Sequence, residues 1–155
     1  MVSVERFTQD KIGGVMEFER ELRRQEPDTF FMDAGEGYRE LLEKSFCDGR
    51  FANALSLLAC EDGRVIGRID ASIIAARSDA CCGCAYLDWI CVLKEERHRR
   101  VAQLLLKELR RELKGRGVET LIAIMAHNPE SLSFYRAVEH ASIHDEAVWM
   151  DCDED

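Results

Sequence analysis

The sequence predicts an α/β fold, equally written α+β with a mixed sheet, and three observations predict it. Asp62-Gly63 stands between two apolar runs, the strongest short-range signal for a β-hairpin. Residues 85–126 read strand, helix, strand, a βαβ unit whose crossover is expected to be right-handed. The 155 residues contain no repeat, low-complexity stretch or Pro/Gly/Ser linker, so one domain spanning 1–155 is expected.

The elements follow in order. Val2–Phe7 reads as a short strand and Gln9–Gln25 as a helix with a solvated, mixed-charge face. Tyr38–Phe46 is a second helix with Leu41 and Leu42 on its apolar side. Asn53–Cys60 and Val65–Ala75 flank the Glu61-Asp62-Gly63 turn. After a loop at Ser78–Gly83, Ala85–Leu93 is an apolar run holding one carboxylate. Strand alternation puts that carboxylate, Asp88, on a face with Tyr86, Ile90 and Val92. Val101, Leu104, Leu105, Leu109 and Leu113 recur at helical spacing, opposed by Lys107, Glu108, Arg110, Arg111 and Lys114. Gly115 and Gly117 are expected to stop this helix. Thr120–Ala126 is apolar on both faces, as a buried parallel strand is. Asn128-Pro129 supplies the favoured N-cap and first residue of another helix, and Glu146–Cys152 reads as a closing strand.

Charge and composition exclude several classes of function. Asp+Glu exceed Lys+Arg by 30 to 21, and the resulting net charge of −9 argues against nucleic acid or an anionic membrane as partner. No apolar run approaches the roughly 20 residues of a bilayer span. Glu5, Arg6 and Asp10 interrupt the Met1 end, so a secretory signal is not expected and the cytoplasm is the expected compartment. Seven cysteines cannot all pair within one chain, and Cys60, Cys91 and Cys152 sit in apolar stretches. Cys81-Cys82-Gly83-Cys84 lacks the second ligand pair of a structural zinc site, and the histidines are scattered at 98, 127, 140 and 144. No metal is expected; the thiols are expected to be reduced.

Two places carry candidate chemistry. Arg97-His98-Arg99-Arg100-Val101-Ala102 puts three arginines at the start of the long helix, where the macrodipole already presents positive charge and unpaired N–H groups. A docked anion, most often a phosphate, would relieve that conflict. The alternative is that Glu95 and Glu96 neutralise Arg99 and Arg100 by i,i+4 pairing. Asp88, within its apolar strand, needs hydrogen-bond partners, a raised pKa or a wet cleft. It reads either as a general base for a substrate ammonium or as a structural acceptor.

Residues 85–102 resemble the core of the GNAT superfamily of N-acetyltransferases: a hydrophobic strand, then Arg/Gln-x-x-Gly-x-Gly/Ala, then an amphipathic helix. Arg97 matches the first motif position and Ala102 the last; Arg100 stands where the family has its central glycine, and His98 where glycine is also frequent. Asn128-Pro129-Glu130-Ser131-Leu132-Ser133-Phe134-Tyr135 is similar to the family's Asn-x-x-(small/apolar)-x-x-Phe-Tyr helix, although Ala137-Val138-Glu139-His140 replaces the usual Leu-Gly-Phe. The resemblance implies a mostly antiparallel sheet with a central, splayed parallel strand pair flanked by helices. It implies acetyl-CoA as co-substrate, with its diphosphate on Arg97, His98, Arg99, Arg100, Val101 and Ala102. The pantetheine arm would then run along Ile90, Cys91 and Val92, with Asn128 and Tyr135 also at the coenzyme. Tyr135 would protonate the departing thiolate; without the resemblance it reads as a core aromatic beside Phe134 and Leu132. Asn128 is already accounted for as an N-cap.

The function that follows is an N-acetyltransferase using a primary amine of a small molecule or peptide as acceptor, in a possible homodimer. One alternative keeps the fold as a catalytically impaired coenzyme sensor or scaffold. A weaker one is a thiol or metal protein built on Cys81, Cys82 and Cys84.

Overall fold

The computed structural model describes residues 1–30, 34–74, 83–143 and 147–150. These group into two compact units, Met1–Ile122 and Ala123–Asp155. The first holds β1 (Ser3–Arg6), α1 (Ile12–Gln25), α2 (Glu36–Lys44), β2 (Ala54–Glu61), β3 (Arg64–Ile74), β4 (Cys84–Val92), α3 (Val101–Gly115) and most of β5 (Thr120–Ala123). The second holds α4 (Pro129–Arg136).

The strands form one sheet in the order β1-β2-β3-β4-β5. β1 to β4 are antiparallel neighbours, and β4 and β5, joined through α3, are the parallel pair. The hairpin forms where the sequence placed it. Asp62 and Gly63 both take positive φ, 51° and 81°, as a two-residue turn matching the twist of its strands requires.

Consecutive β3 residues show which helices cover which face. Gly67 faces α3, where a Cβ would meet Leu105 at 3.1 Å and Val101 at 3.3 Å, so a side chain here would push both back by a few tenths of an ångström. Arg68 points the other way, to Glu19 of α1 and Tyr38 of α2. The α3 face that packs on the sheet is Val101, Leu105, Leu106, Leu109 and Leu113, all buried, each contributing about 1.5–3 kcal/mol.

α3 ends at Gly115 and the chain turns at Gly117 (φ 75°), as the two glycines predict. Other expectations are corrected. β5 is shorter than expected and alternates half-buried and exposed positions, with Ile122 47% exposed. Among the described residues it is the last strand in the sheet order, and Thr120 and Ile122 lie on an exposed face. Residues 147–150 form no strand; Val148, Trp149 and Met150 are exposed, without the ladder partner a strand needs. The remainder of that expected strand, with Cys81, Cys82 and Cys152, lies outside the described residues. Leu41, expected on the apolar side of α2, is 47% exposed, whereas Leu42 is buried.

The largest local departure is in β4. Its register with β3 pairs Asp70 with Trp89 and Ala71 with Leu87, passing over Asp88. Asp88 is therefore the extra residue of a β-bulge. Beyond it the alternation is inverted: Ile90 and Val92 share the α3 side with Ile69 and Gly67. Asp88 is left on the opposite side with Asp70 and Ser72.

Candidate active site

The face of the sheet under α1 and α2 is polar at three successive alternate residues of β3: Arg68, Asp70 and Ser72. These residues and Asp88 line one side of a cleft of about 680 Å³. Phe7, Leu41, Phe46 and Phe51 supply apolar surface to the same cleft.

Arg68 organises the polar side. Its Nη1 donates to the Tyr38 hydroxyl at 2.6 Å and lies 3.4 Å from Glu19 Oε1, while Nε is 2.8 Å from Asp70 Oδ2. The guanidinium also sits 5.5 Å above the Phe7 ring, a cation–π contact. Glu19, only 4% exposed, has a second cationic partner in Arg23 at 2.7 Å. Asp88 differs from these carboxylates. Its Oδ2 accepts from the Ser72 hydroxyl at 2.7 Å, and no ion pair joins it among the described residues. Partial burial pushes its pKa up; the Ser72 hydrogen bond opposes this and the nearby charge of Asp70 adds to it. An accessible carboxylate bonded to a neutral hydroxyl is suited to taking a proton from an ammonium. Bulge and strand alternation together put it in the cleft, so the partner and the wet cleft that its sequence setting required are both present.

At its far end β4 carries Ile90, Cys91 and Val92. Ile90 is half-buried and the other two are buried. Burial pushes the Cys91 thiol up to about 12, so it is a protonated apolar group at neutral pH.

The turn from β4 into α3 distributes its three arginines unequally. Arg97 forms a paired hydrogen bond with Glu26 at the end of α1, one arm at 3.1 Å. Arg99 pairs with Glu61 at 2.8 Å and with Glu96. Glu95 pairs with Arg64 at 2.9 Å instead of with Arg99. The expected i,i+4 neutralisation is thus replaced by one i,i+3 pair and by long-range partners. Arg100 is exposed and has no ion pair among the described residues.

His98 and Arg100 both take left-handed backbone, each at φ 63°. These are the two positions where the motif favours glycine, so the turn has the conformation glycine would adopt, held at a cost of about 1–2 kcal/mol per residue. Arg100 is also the N-cap of α3, and its side chain makes no capping bond. The helix's hydrogen bonding starts with Leu104 N–H to Arg100 C=O at 3.0 Å. The N–H groups of Val101, Ala102 and Gln103 consequently lie ahead of the ladder. With the unpaired guanidinium they form a donor set for an anion, and the exposed turn admits one.

In the second unit, Asn128 Oδ1 caps α4 by accepting from Ser131 N–H at 2.8 Å, with Pro129 as first helical residue. Tyr135 packs edge-on against Phe134, ring centroids 5.1 Å apart. The chain leaves this region through His140 in left-handed conformation, φ 58°. The described structure thus gathers Asp88 with the β3 residues, and Arg97–Ala102 at the head of α3, within the first unit. Asn128 and Tyr135 are placed within the second.

The family model of the acetyltransferase (GNAT) family matches residues 17–138. The chain belongs to that family. GNAT enzymes transfer acetyl groups from acetyl-CoA, and this reaction class is what membership assigns. No curated protein is significantly similar in sequence. Among solved structures, an aminoglycoside acetyltransferase from an uncultured soil metagenomic sample is 17% identical, with TM-score 0.73 over 97% of each chain. AAC(6')-Iy, in complex with a bisubstrate analogue, is 17% identical, with TM-score 0.76 over 97% of this chain and 98% of its own. A transcriptional regulator from Bacillus halodurans is 13% identical, with TM-score 0.78 over 97% of this chain and all of its own. At these identities the likeness is one of fold.

A lone carboxylate in an apolar strand and three arginines at a helix start led to Asp88 and Arg97–Ala102, but sequence reading overlooked Tyr38, Arg68, Asp70 and Ser72. The signal was available: Arg68, Asp70 and Ser72 repeat with period two in an otherwise apolar strand, which marks a polar face. Trp89 stacks edge-on with Phe30 at 5.7 Å and stays 37% exposed. No helix among the described residues is long and apolar enough to cross a membrane.

Proposed function

We propose that this chain is an N-acetyltransferase that carries an acetyl group from acetyl-CoA to a primary amine of a small molecule or peptide, by direct attack and as a single domain. The observation that carries the reading is the backbone of the Arg97–Ala102 turn. It keeps the left-handed form of a glycine turn at His98 and Arg100 although neither is glycine. Retaining a strained conformation at two non-glycine residues is consistent with a backbone shaped to meet a ligand.

In this reading the N–H groups from His98 to Ala102 and the Arg100 guanidinium hold the diphosphate, while Arg97 and Arg99, tied to Glu26 and Glu61, brace the turn. Ile90, Cys91 and Val92 line the pantetheine arm and Asn128 lies beside the coenzyme. Acetyl-CoA supplies the thioester as substrate. Asp88, directly or through a water, takes one proton from the incoming ammonium, freeing the nitrogen lone pair to attack the acetyl carbon. As the C–N bond forms, the nitrogen sheds its second proton to solvent; as the C–S bond breaks, Tyr135 donates its phenolic proton to the leaving sulfur and regains one from solvent, which leaves a neutral amide and a free thiol. Most of the acceleration comes from holding amine and thioester in register. Partners are acetyl-CoA and the amine, in a cytoplasmic homodimer, with no nucleic acid or membrane.

A second reading, a coenzyme sensor or scaffold of the same fold, is favoured by one observation: Arg100 puts a side chain where the motif has glycine. Thermal-shift titration with acetyl-CoA and CoA separates binding from none. Saturation at 100 times Kd stabilises the chain by about 2.7 kcal/mol, and no shift at millimolar coenzyme refutes both coenzyme-dependent readings. Thiol release on addition of amines then decides between enzyme and sensor.

A further inference from the structure

We infer that the cleft beside Asp88 selects an acceptor with a single ammonium group on an apolar body and rejects polycations. The inference rests on the transferase reading for the fate of that amine, but its argument concerns the cleft alone. Four charged residues line the cleft: Arg68, Asp48, Asp70 and Asp88. Asp70 is bonded to Arg68, and Arg68 also faces Glu19, whose own second partner is Arg23. Asp48 is bound by Arg50 at 2.7 Å. Only Asp88 has a neutral partner, Ser72. Among the described residues the cleft therefore holds one carboxylate without a cation, which is room for one ammonium.

A second ammonium on the same ligand would have two places to go. Near Arg68 it would meet a like charge; elsewhere it would lie against Phe7, Leu41, Phe46 or Phe51, which offer no counter-ion. These same walls reward an apolar body. At about 680 Å³ the space is that of a small-molecule site.

The test is calorimetric titration of the full chain, without acetyl-CoA, with phenethylamine, hexylamine, spermidine and kanamycin. Phenethylamine and hexylamine are expected to bind at least about tenfold more tightly than the two polycations. Asp88→Asn is expected to remove most of that binding. Leu41→Asp, at a position exposed enough to accept the charge, adds a second carboxylate and should shift preference towards spermidine. Equal or tighter binding of spermidine or kanamycin overturns the inference, and so does absence of phenethylamine binding at millimolar concentration. Thiol release from acetyl-CoA on the same panel is read separately. Transfer confined to polycations overturns the selectivity and leaves the transferase standing. Monoamine binding that depends on Asp88 but yields no thiol upholds the selectivity and removes the transferase.

Discussion

The Ser72 hydroxyl donates to the Asp88 carboxylate at 2.7 Å, from β3 to the one residue of β4 that the ladder passes over. Regular alternation alone would carry Ile90 and Val92 onto the same side as Asp88. The bulge sends them to the α3 side and leaves the carboxylate among Arg68, Asp70 and Ser72, in a cleft where an amine can reach it.

Asp88→Asn is expected to cut turnover at neutral pH without loss of stability. Burial holds the Asp88 pKa above its ordinary 3.8, so the folded chain favours the protonated acid. The resulting stabilisation is complete below the ordinary value and is lost as pH rises through the raised one. Asn removes that loss, so melting temperature at neutral pH should hold or rise, and the wild-type excess of stability at acid pH should shrink. Ser72→Ala removes the bond that restrains the shift and should move the acid limb of the pH–rate profile upward. Melts and rates from about pH 3 to pH 8 check both.

Tyr135→Phe keeps the edge-on packing with Phe134 and removes only the hydroxyl. If the phenol protonates the thiolate, turnover should fall by about 10²-fold or more with acetyl-CoA affinity nearly unchanged. Full activity in steady-state assays would contradict the assignment.

Arg100→Gly separates backbone from charge. Glycine relieves the left-handed strain at φ 63°, so the melting temperature should rise, by the equivalent of up to about 1 kcal/mol. Loss of the unpaired guanidinium should weaken acetyl-CoA binding by roughly tenfold and flatten its salt dependence. A variant that binds the coenzyme more tightly would show the side chain to be an obstruction.

Arg68→Ala should destabilise the first unit by about 3 kcal/mol. It strips a cation from the 4%-exposed Glu19 and from Asp70, and leaves the Tyr38 hydroxyl without its 2.6 Å donor. Denaturant unfolding measures it, and a loss below about 1 kcal/mol would mean the network contributes little.

Thiol reactivity should divide the cysteines by burial. Cys60 and Cys91 are buried and pushed up to about 12, Cys60 also donating to Glu5 at 3.1 Å, whereas Cys47 is exposed. Alkylation followed by peptide mapping should label Cys47 in the native chain and reach Cys60 and Cys91 only on unfolding.

Sequence alone determined what short-range chemistry decides. The Asp62-Gly63 turn, the Asn128-Pro129 cap, the apolar stripe of α3 and the motif at Arg97–Ala102 depend on residues within a few positions of one another, and each is present in the structure. The tertiary structure decided what depends on register and on partners far apart in the chain. Arg97 meets Glu26 across 71 positions and Arg68 meets Glu19 across 49, so the local i,i+4 rule could not foresee where the charges go. A single bulge likewise reassigns every side chain beyond it, because strand faces alternate with period two. Packing between elements, not preference within them, brought Asp88 to Ser72 and left Arg100 without a counter-ion among the described residues.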